Sequence, residues 1–183
     1  KSEKFEGAYV KDPQVGMHKW IMSFDLNSLY PHLIMQYNIS PETLVNSGDG
    51  IVEGMVDKIL EGKTQNKTKY CMTPNGAFFR KDIKGFLPKL MENMYNDRVK
   101  YKKLTLEARQ KFEDTGDKNL LKVISRYNNV QMAKKISLNS AYGAIGNNWF
   151  RYYDLMVATA ITTSGQLSIR WIEKSINIYL NKI

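Results

Sequence analysis

Two long segments without internal glycine or proline constrain the fold more than any other feature of the sequence. Residues 88–112 are rich in Lys, Arg, Glu, Leu and Met, which favour helices, and a second helix is predicted over residues 118–142. The connection at residues 114–117 is so short that the two helices must pack against each other as an antiparallel pair. We therefore predict a helical hairpin standing between two parts of a sheet-containing domain.

Shorter elements are predicted on both sides of this hairpin, which makes the fold class α+β. The run WIMSF at residues 20–24 is dense in aromatic and branched side chains and predicts a buried strand that ends at Asp25. A helix is predicted to begin at Pro31 and to end at Asn38, because proline is well suited to the first turn. The remaining predictions are a small helix near 51–60, a β-hairpin at 70–79, an end to the second long helix at Gly143 and Gly146, an extended segment at 149–153 and a last helix at 155–180.

The charge balance narrows the possible partners. The chain has 27 Lys and Arg against 18 Asp and Glu, a net charge of +9, which favours a polyanion, first nucleic acid and second a membrane surface. No stretch reaches the roughly 20 apolar residues of a membrane span, and the amino end does not resemble a signal peptide. We therefore expect a soluble, intracellular protein.

Cysteine and histidine are too scarce for some common sites. With Cys71 as the single cysteine, an internal disulfide framework is excluded. The two histidines, His18 and His32, are far apart, which excludes the usual Cys/His zinc site. Cys71 is predicted to be an unreactive thiol in a half-buried strand.

The run SFDLNSLYP at residues 23–31 places a carboxylate where a buried strand meets a proline-started helix. Asp25 would offer the hard oxygen ligand that magnesium prefers, and the N–H groups near Ser28 and Leu29 would face a phosphate. The alternative is an ordinary Asp in a turn, and the few residues around Asp25, taken alone, favour this alternative.

The run KISLNSAYG at residues 135–143 forms a second candidate site. With 3.6 residues per turn, Lys135, Asn139 and Tyr142 fall on one stripe of the helix, and Gly143 leaves room for a flat group such as a base pair. Arg98 and Lys102, four residues apart on the first long helix, can converge with Lys135 if the helices are antiparallel. The alternative is a pair of solvated helix faces with ordinary lysines.

These runs resemble known motifs. Residues 25–31 resemble the first polymerase motif of family B DNA polymerases, D-x-x-S-L-Y-P, and residues 135–143 resemble the second, K-x-x-x-N-S-x-Y-G. The run FEGA at residues 5–8 is similar to the family's Y-x-G-G/A element, with Phe in place of Tyr. Residues 146–163 most resemble replicative polymerases of T-even-type tailed phages. The resemblance covers nearly the whole chain and is weakest at residues 45–69.

The resemblance implies a role for each matched residue. Asp25 and Leu26 would bind metal, two Mg²⁺ ions in the complete enzyme. Tyr30 would lie under the sugar and reject a ribose 2′-hydroxyl, and Gly7 and Ala8 would contact DNA. The triphosphate would be bound by Ser28, Leu29, Arg98, Lys102, Lys135 and Asn139, and the nascent base pair would be lined by Tyr142 and Gly143.

The resemblance also implies an architecture and partners. Residues 1–87 would form the first part of a polymerase palm, a short antiparallel sheet with helices. Residues 88–142 would form the fingers hairpin, and residues 143–183 a second part of the palm. The expected partners are primer–template DNA, a deoxynucleoside triphosphate (dNTP) and the remainder of the polymerase, with no membrane. The expected location is the cytoplasm, that of a bacterial host if a phage encodes the chain.

One expected motif is missing from the sequence. The family's third motif, an Asp-Thr-Asp on a hairpin, is absent, as are the exonuclease carboxylates and the basic thumb. Since one carboxylate cannot hold two divalent ions, the chain alone is predicted not to extend primers. The alternatives are a non-catalytic, basic nucleic-acid-binding module and a helical structural protein, which would leave both motifs as coincidences.

Overall fold

Helices make up most of the chain, and a small sheet completes an α+β fold, as the sequence predicted. The computed structural model describes residues 7–45, 54–64 and 66–181. Long gaps between glycines and prolines allow the longest helices. The helices are α1 (Leu29–Tyr37), a 3₁₀ turn (Pro41–Thr43), α2 (Met55–Leu60), α3 (Phe86–Thr115), α4 (Asn119–Ile145) and α5 (Leu155–Leu180), and the strands are β1 (Leu44–Val45), β2 (Cys71–Met72) and β3 (Phe78–Phe79).

The predicted β-hairpin is confirmed, and it forms two of the three strands of the sheet. Strand β3 lies between β1 and β2 and is antiparallel to both. The turn is closed by the Thr73 N–H, which donates to the Ala77 carbonyl at 2.9 Å. Phe79 at the centre of the sheet is fully buried, and Cys71 is half-buried as expected. Strand β1 was not predicted.

Helix α1 is held between two residues in the left-handed region. It begins at Leu29, two residues before Pro31, and Ser28 ahead of it has φ 52°. Asn38 ends it with φ 55°, as predicted, and short polar residues tolerate that conformation better than most. The Asn38 side chain donates to the carbonyls of Arg80 and Ile83, each at 2.7 Å. These bonds fix the end of α1 beside the start of α3.

The two longest helices pack side by side with opposite chain directions. Asp97 on α3 accepts a hydrogen bond from Lys134 on α4 at 2.8 Å, and the rings of Tyr101 and Tyr127 lie 5.9 Å apart. The paired positions rise along α3 as they fall along α4, which requires antiparallel axes. Gly116, with φ 67°, caps α3 before the short connection.

The prediction that Gly143 ends the second long helix is wrong. Helix α4 continues to Ile145, and Gly146 follows it. A glycine inside a helix costs only about 1 kcal/mol relative to alanine, so tertiary packing overrides it. Here buried Ile145, in the turn after Gly143, joins the core and holds the helix together.

The last helix supplies more of the buried hydrophobic cluster than any other single element. Asp154 caps α5 by accepting hydrogen bonds from the N–H groups of Met156 at 2.8 Å and Val157 at 3.1 Å. The ten residues 157–166 that follow are all buried. The main cluster joins α5 to α1, the sheet, α3 and α4, and its fully buried large members are Ile34, Ile39, Phe79, Met91, Leu138, Ile145, Val157 and Ile161.

Two predicted extended segments are absent. Residues 20–24 form no strand and are not buried: Trp20 is 98% exposed and Ile21 77% exposed. A strand needs a hydrogen-bonded neighbour, and no described strand pairs with this segment. Residues 149–153 form consecutive turns instead of an extended segment, because the N–H of Phe150 bonds to the Asn147 carbonyl at 2.8 Å.

Parts of other predictions lie outside the described residues. The helix predicted near 51–60 is present at Met55–Leu60, and residues 51–53 are not described. Phe5 and Glu6 of the FEGA run are not described either. Across the described ranges, no helix is long and apolar enough to cross a membrane.

Candidate nucleotide-binding site

A pocket of about 490 Å³ lies where the two sequence motifs meet. Its floor comes from the start of α1 and the residues before it, and its wall comes from α3 and α4. The motif residues are therefore brought together although they are far apart in the sequence. The lining residues are Asp25, Leu26, Asn27, Ser28, Leu29, Tyr30, Pro31, Arg98, Lys135, Asn139 and Tyr142.

The floor of the pocket is the amino end of a helix. Ser28 takes the left-handed conformation just before α1, and its side chain makes no capping hydrogen bond. Its carbonyl accepts from the His32 N–H at 3.1 Å and lies 2.9 Å from His32 Nδ1. The first N–H groups of a helix have no partner within the helix, and together with the helix dipole they attract anions.

The wall of the pocket carries positive charge. Arg98 and Lys135 line it, against Asp25 as the single carboxylate among the described lining residues. The Arg98 Nε atom is buried and finds no hydrogen-bond partner among the described residues. Lys134, the neighbour of Lys135, is instead bound to Asp97 at 2.8 Å. The pocket thus carries more positive than negative charge, and the buried Arg98 N–H donor has no partner among the described residues.

Two tyrosines form an aromatic edge of the pocket. The ring centroids of Tyr30 and Tyr142 lie 4.6 Å apart, with planes inclined at 33°. Burial raises the pKa of both phenols, and for Tyr142 the neighbouring Tyr30 adds to the effect. Both hydroxyls therefore stay neutral at physiological pH.

Four predicted residues do not line the pocket. Lys102 lies one turn beyond Arg98 on α3 and is exposed. Gly143 is exposed on α4, and beyond its chain neighbours and the adjacent backbone of its own helix no heavy atom lies within 4 Å of the position a Cβ would take. Gly7 lies outside the pocket lining, and its carbonyl accepts a hydrogen bond from the Gln166 side chain on α5 at 2.7 Å. Ala8 beside it is exposed and also lies outside the lining.

Comparison with known proteins identifies the family. The family model for DNA polymerase family B matches residues 1–182. The chain belongs to DNA polymerase family B. It is 34% identical to the DNA-directed DNA polymerase of Escherichia phage RB69 and 35% identical to that of Enterobacteria phage T4, over 99% of this chain and 24% of each relative. It is 33% identical to DNA polymerase 1 of Pyrococcus abyssi, over 95% of this chain and 19% of that protein. This family B chain thus spans about a quarter of the length of the phage relatives.

The donor set of the pocket is small for a pair of divalent ions. Asp25 is exposed at its edge, and Leu26 next to it belongs to the same lining. Over the described ranges, no group of three or more His, Cys, Asp or Glu residues could hold a metal ion. Magnesium sites use several oxygen ligands, so the residues present do not by themselves fit two ions.

A second, larger cavity of this family B chain adjoins the first. It measures about 830 Å³ and lies between residues 14–26 and helix α5. Asp25 and Tyr30 line both cavities. The segment that was predicted to be a buried strand forms one side of the larger cavity, and an apolar stripe of α5 forms the other. The apolar lining residues are Trp20, Ile21, Met22, Phe24, Leu26, Leu29, Ile169, Ile172, Ile176 and Leu180.

Sequence reasoning missed one residue that contacts the site. Gly165 on α5 lies directly against the ring of Tyr30, so closely that an added Cβ would be 2.9 Å from Tyr30 Cε1. The signal in the sequence was a glycine within an otherwise strong helical pattern, which often marks close packing.

Proposed function

We propose that this chain is the part of a DNA-directed DNA polymerase that binds the incoming dNTP and contributes one side of the metal site. The observation that carries the proposal is the convergence of Asp25, Arg98 and Lys135 on one pocket. Family membership supports it, because curated relatives from two phages are named DNA-directed DNA polymerases. In this scheme, residues 1–87 and 143–183 belong to the palm and residues 88–142 are the fingers.

The triphosphate would lie between the start of α1 and the cationic wall. Ser28 and Leu29 would present N–H groups to it, while Arg98 and Lys135 would neutralise its charge. Phosphoryl transfer asks a protein mainly for positioning and charge stabilisation, which this arrangement of residues can supply. Lys102 would join if the hairpin moved toward the palm and closed the pocket.

The sugar and base would lie over the aromatic edge. Tyr30 would contact the sugar and reject a 2′-hydroxyl, because a fixed ring leaves no space for the extra oxygen. Asn139 would hold the triphosphate from α4, and Tyr142 with Gly143 would line the nascent base pair. The neutral phenols avoid placing negative charge beside the phosphates.

Asp25 and the Leu26 carbonyl would be this chain's ligands for Mg²⁺. When bound, a pair of ions would stabilise the attacking and leaving oxygens of the displacement. Since the described lining holds one carboxylate, further ligands would come from the remainder of the polymerase.

The larger cavity is where the remainder of the polymerase would pack. Its side formed by residues 20–24 is exposed, with Trp20 98% and Phe24 61% accessible, and exposed apolar surface of this kind marks an interaction site. A partner there would lie next to Asp25 and could bring the missing carboxylates. Primer–template DNA would bind to the basic chain, and the phage relatives favour action in the cytoplasm of a bacterial host.

Titration with dATP and ATP in the presence of Mg²⁺ tests the proposal. We expect the chain to prefer dATP by at least about fivefold, near 1 kcal/mol. Tyr30→Ala should abolish the preference, and Asp25→Ala should abolish the effect of Mg²⁺. Asp12→Ala, an exposed carboxylate outside both cavities, is the matched control. Salt-sensitive DNA binding that is indifferent to Asp25 and Tyr30 would instead indicate a non-catalytic nucleic-acid-binding module.

A further inference from the structure

Gly165 makes the closest approach of α5 to the candidate site. It is buried in the middle of the helix, within the run of residues 157–166. A Cβ added to it would lie 2.9 Å from Tyr30 Cε1, 3.7 Å from Tyr30 Cδ1 and 3.8 Å from Leu33 Cδ1. The first distance is shorter than carbon atoms tolerate, so an alanine here would push the Tyr30 ring away from α5.

The helix itself does not need this glycine. Gly165 lies in the interior of α5 and does not have a positive φ, so alanine would suit its backbone and favour the helix by about 1 kcal/mol. The other reason for a buried glycine is close approach by a neighbouring group, and the Tyr30 ring is that group. The ring of Tyr30 therefore occupies the space that a side chain at position 165 would take.

Tyr30 is restrained on a second side as well. The Tyr142 ring lies 4.6 Å away, and it stands on a different helix. The ring of Tyr30 is thus positioned between the backbone of α5 and the side chain of α4, while it lines both cavities. A shift away from α5 must change its contact with Tyr142 and its position in the pocket.

We propose that Gly165 is a positioning residue that sets the place of the Tyr30 ring, and through it the discrimination between deoxyribose and ribose. This inference rests on the proposed function, since it assigns the sugar contact to Tyr30. Gly165 does not touch the nucleotide; it acts by letting the ring lie against the helix. A misplacement of about 1 Å at a reacting centre can cost about 100-fold in rate, so a partial shift of the Tyr30 ring is expected to change recognition several-fold.

The test compares Gly165→Ala with the wild-type chain in dATP and ATP titrations with Mg²⁺. We expect weaker dATP binding and a dATP/ATP affinity ratio lowered by at least about threefold, because the displaced ring enters the space of the sugar. In a Tyr30→Ala background the same substitution should leave the ratio unchanged, since the ring it displaces is gone. Ser164→Ala, a buried neighbour whose hydroxyl has no partner among the described residues, is the control and should keep the wild-type ratio.

A measurement without nucleotide checks the contact itself. In NMR spectra of the tyrosine-labelled chain, Gly165→Ala should shift the ring signals of both Tyr30 and Tyr142, and Ser164→Ala should not. If Gly165→Ala fails to fold, Tyr30→Ala should restore folding by removing the clash, and a failure to restore it would overturn the proposal.

The outcomes separate the two proposals. No dATP binding by the wild-type chain would overturn the proposed function and this inference with it. A wild-type chain that prefers dATP, with an unchanged ratio in Gly165→Ala, would overturn the role of Gly165 alone. A change of ratio that persists in the Tyr30→Ala background would also overturn it, because the effect would not pass through the ring.

Discussion

The ring of Tyr30 lies against the ring of Tyr142, with centroids 4.6 Å apart and planes inclined at 33°. One tyrosine belongs to the first turn of α1 and the other to the last turns of α4. Tilted aromatic pairs at this distance stabilise a fold by about 0.5–1.5 kcal/mol beyond the area they bury. This contact therefore joins the two sequence motifs directly.

The burial of Tyr30 and Tyr142 predicts how the stability of the fold changes at alkaline pH. Burial raises the pKa of Tyr30 and Tyr142, so in the fold both keep their protons above pH 10, where the unfolded chain loses them. Their contribution to stability is complete below about pH 10 and is lost as pH rises through the folded-state pKa. Titration at 295 nm should show late tyrosinate formation. Tyr142→Phe should reduce that late phase, while the exposed Tyr179→Phe should leave the contribution of Tyr142 in place.

The side chain of Asn75 attaches the β-hairpin to α5, and its removal measures how much this attachment stabilises the fold. Its buried amide donates to the Met156 carbonyl and to Thr159 Oγ1, both at 3.0 Å. Asn75→Ala leaves these acceptors without that donor and should destabilise the fold by about 1–3 kcal/mol. For a chain of this size, the melting temperature should fall by about 2–4 °C per kcal/mol.

An exposed asparagine provides the control for Asn75. Asn66 also donates to a backbone carbonyl, that of Tyr70 at 2.7 Å, but it lies in an exposed loop. Asn66→Ala should change stability by less than about 0.5 kcal/mol. Equal losses of stability in the two variants would show that the hydrogen bonds from Asn75 to α5 stabilise the fold no more than those of an exposed asparagine.

Lys134 and Lys135 are adjacent and are predicted to have opposite roles. Lys134 is bound to Asp97 and lowers the pKa of that carboxyl, whereas Lys135 lines the pocket. Lys135→Ala should weaken dATP binding about tenfold and leave the melting temperature unchanged, since a charge-assisted bond to phosphate is lost. Lys134→Ala should leave binding near the wild-type value and allow the Asp97 pKa to rise toward its ordinary value, as measured by NMR. The reverse pattern would mean that the pocket is not the phosphate site.

The stability that depends on Asp97 should disappear in acid. Because its folded-state pKa is lowered, the carboxylate stabilises the fold above the ordinary Asp range, and this contribution is lost as pH falls through the folded value. In Lys134→Ala this acid-sensitive part should shrink. Asp97 is well exposed, so the effect should also weaken at high salt.

Local patterns in the sequence were sufficient for the helices. The helix predicted at residues 155–180 coincides with α5, and in the structure the Asp154 side chain caps its first turn. A short connection after α3 was also predictable, since Gly116 and Asp117 are turn residues, although α3 extends to Thr115 and so past the start of the connection predicted at residues 114–117. The hairpin of β2 and β3 followed from the Pro-Asn-Gly turn between two apolar runs.

Contacts between residues far apart in the sequence could not be predicted from these local patterns. Residues 20–24 have strand-forming side chains, but a strand exists only with a neighbour, and none of the described strands takes that place. The contact between Gly165 and Tyr30 is similarly invisible, because it depends on how α5 packs against α1. For the site, the two motifs named the pocket residues Asp25 and Lys135, and helical spacing named Arg98 together with Lys102. That Lys102 lies outside the pocket lining depends on how α3 packs, which the spacing does not show.

The larger cavity leads to the last prediction, which concerns assembly of a complete enzyme. The chain alone should not extend a primer, because the described pocket holds one carboxylate and two divalent ions need more. A polypeptide that carries the remaining palm carboxylates and the thumb should restore extension when mixed with it. Ile21→Glu should block this restoration by placing a charge in the apolar lining, and Asp12→Ala should not. Extension by the 183-residue chain alone would contradict the prediction and would require a second set of metal ligands within it.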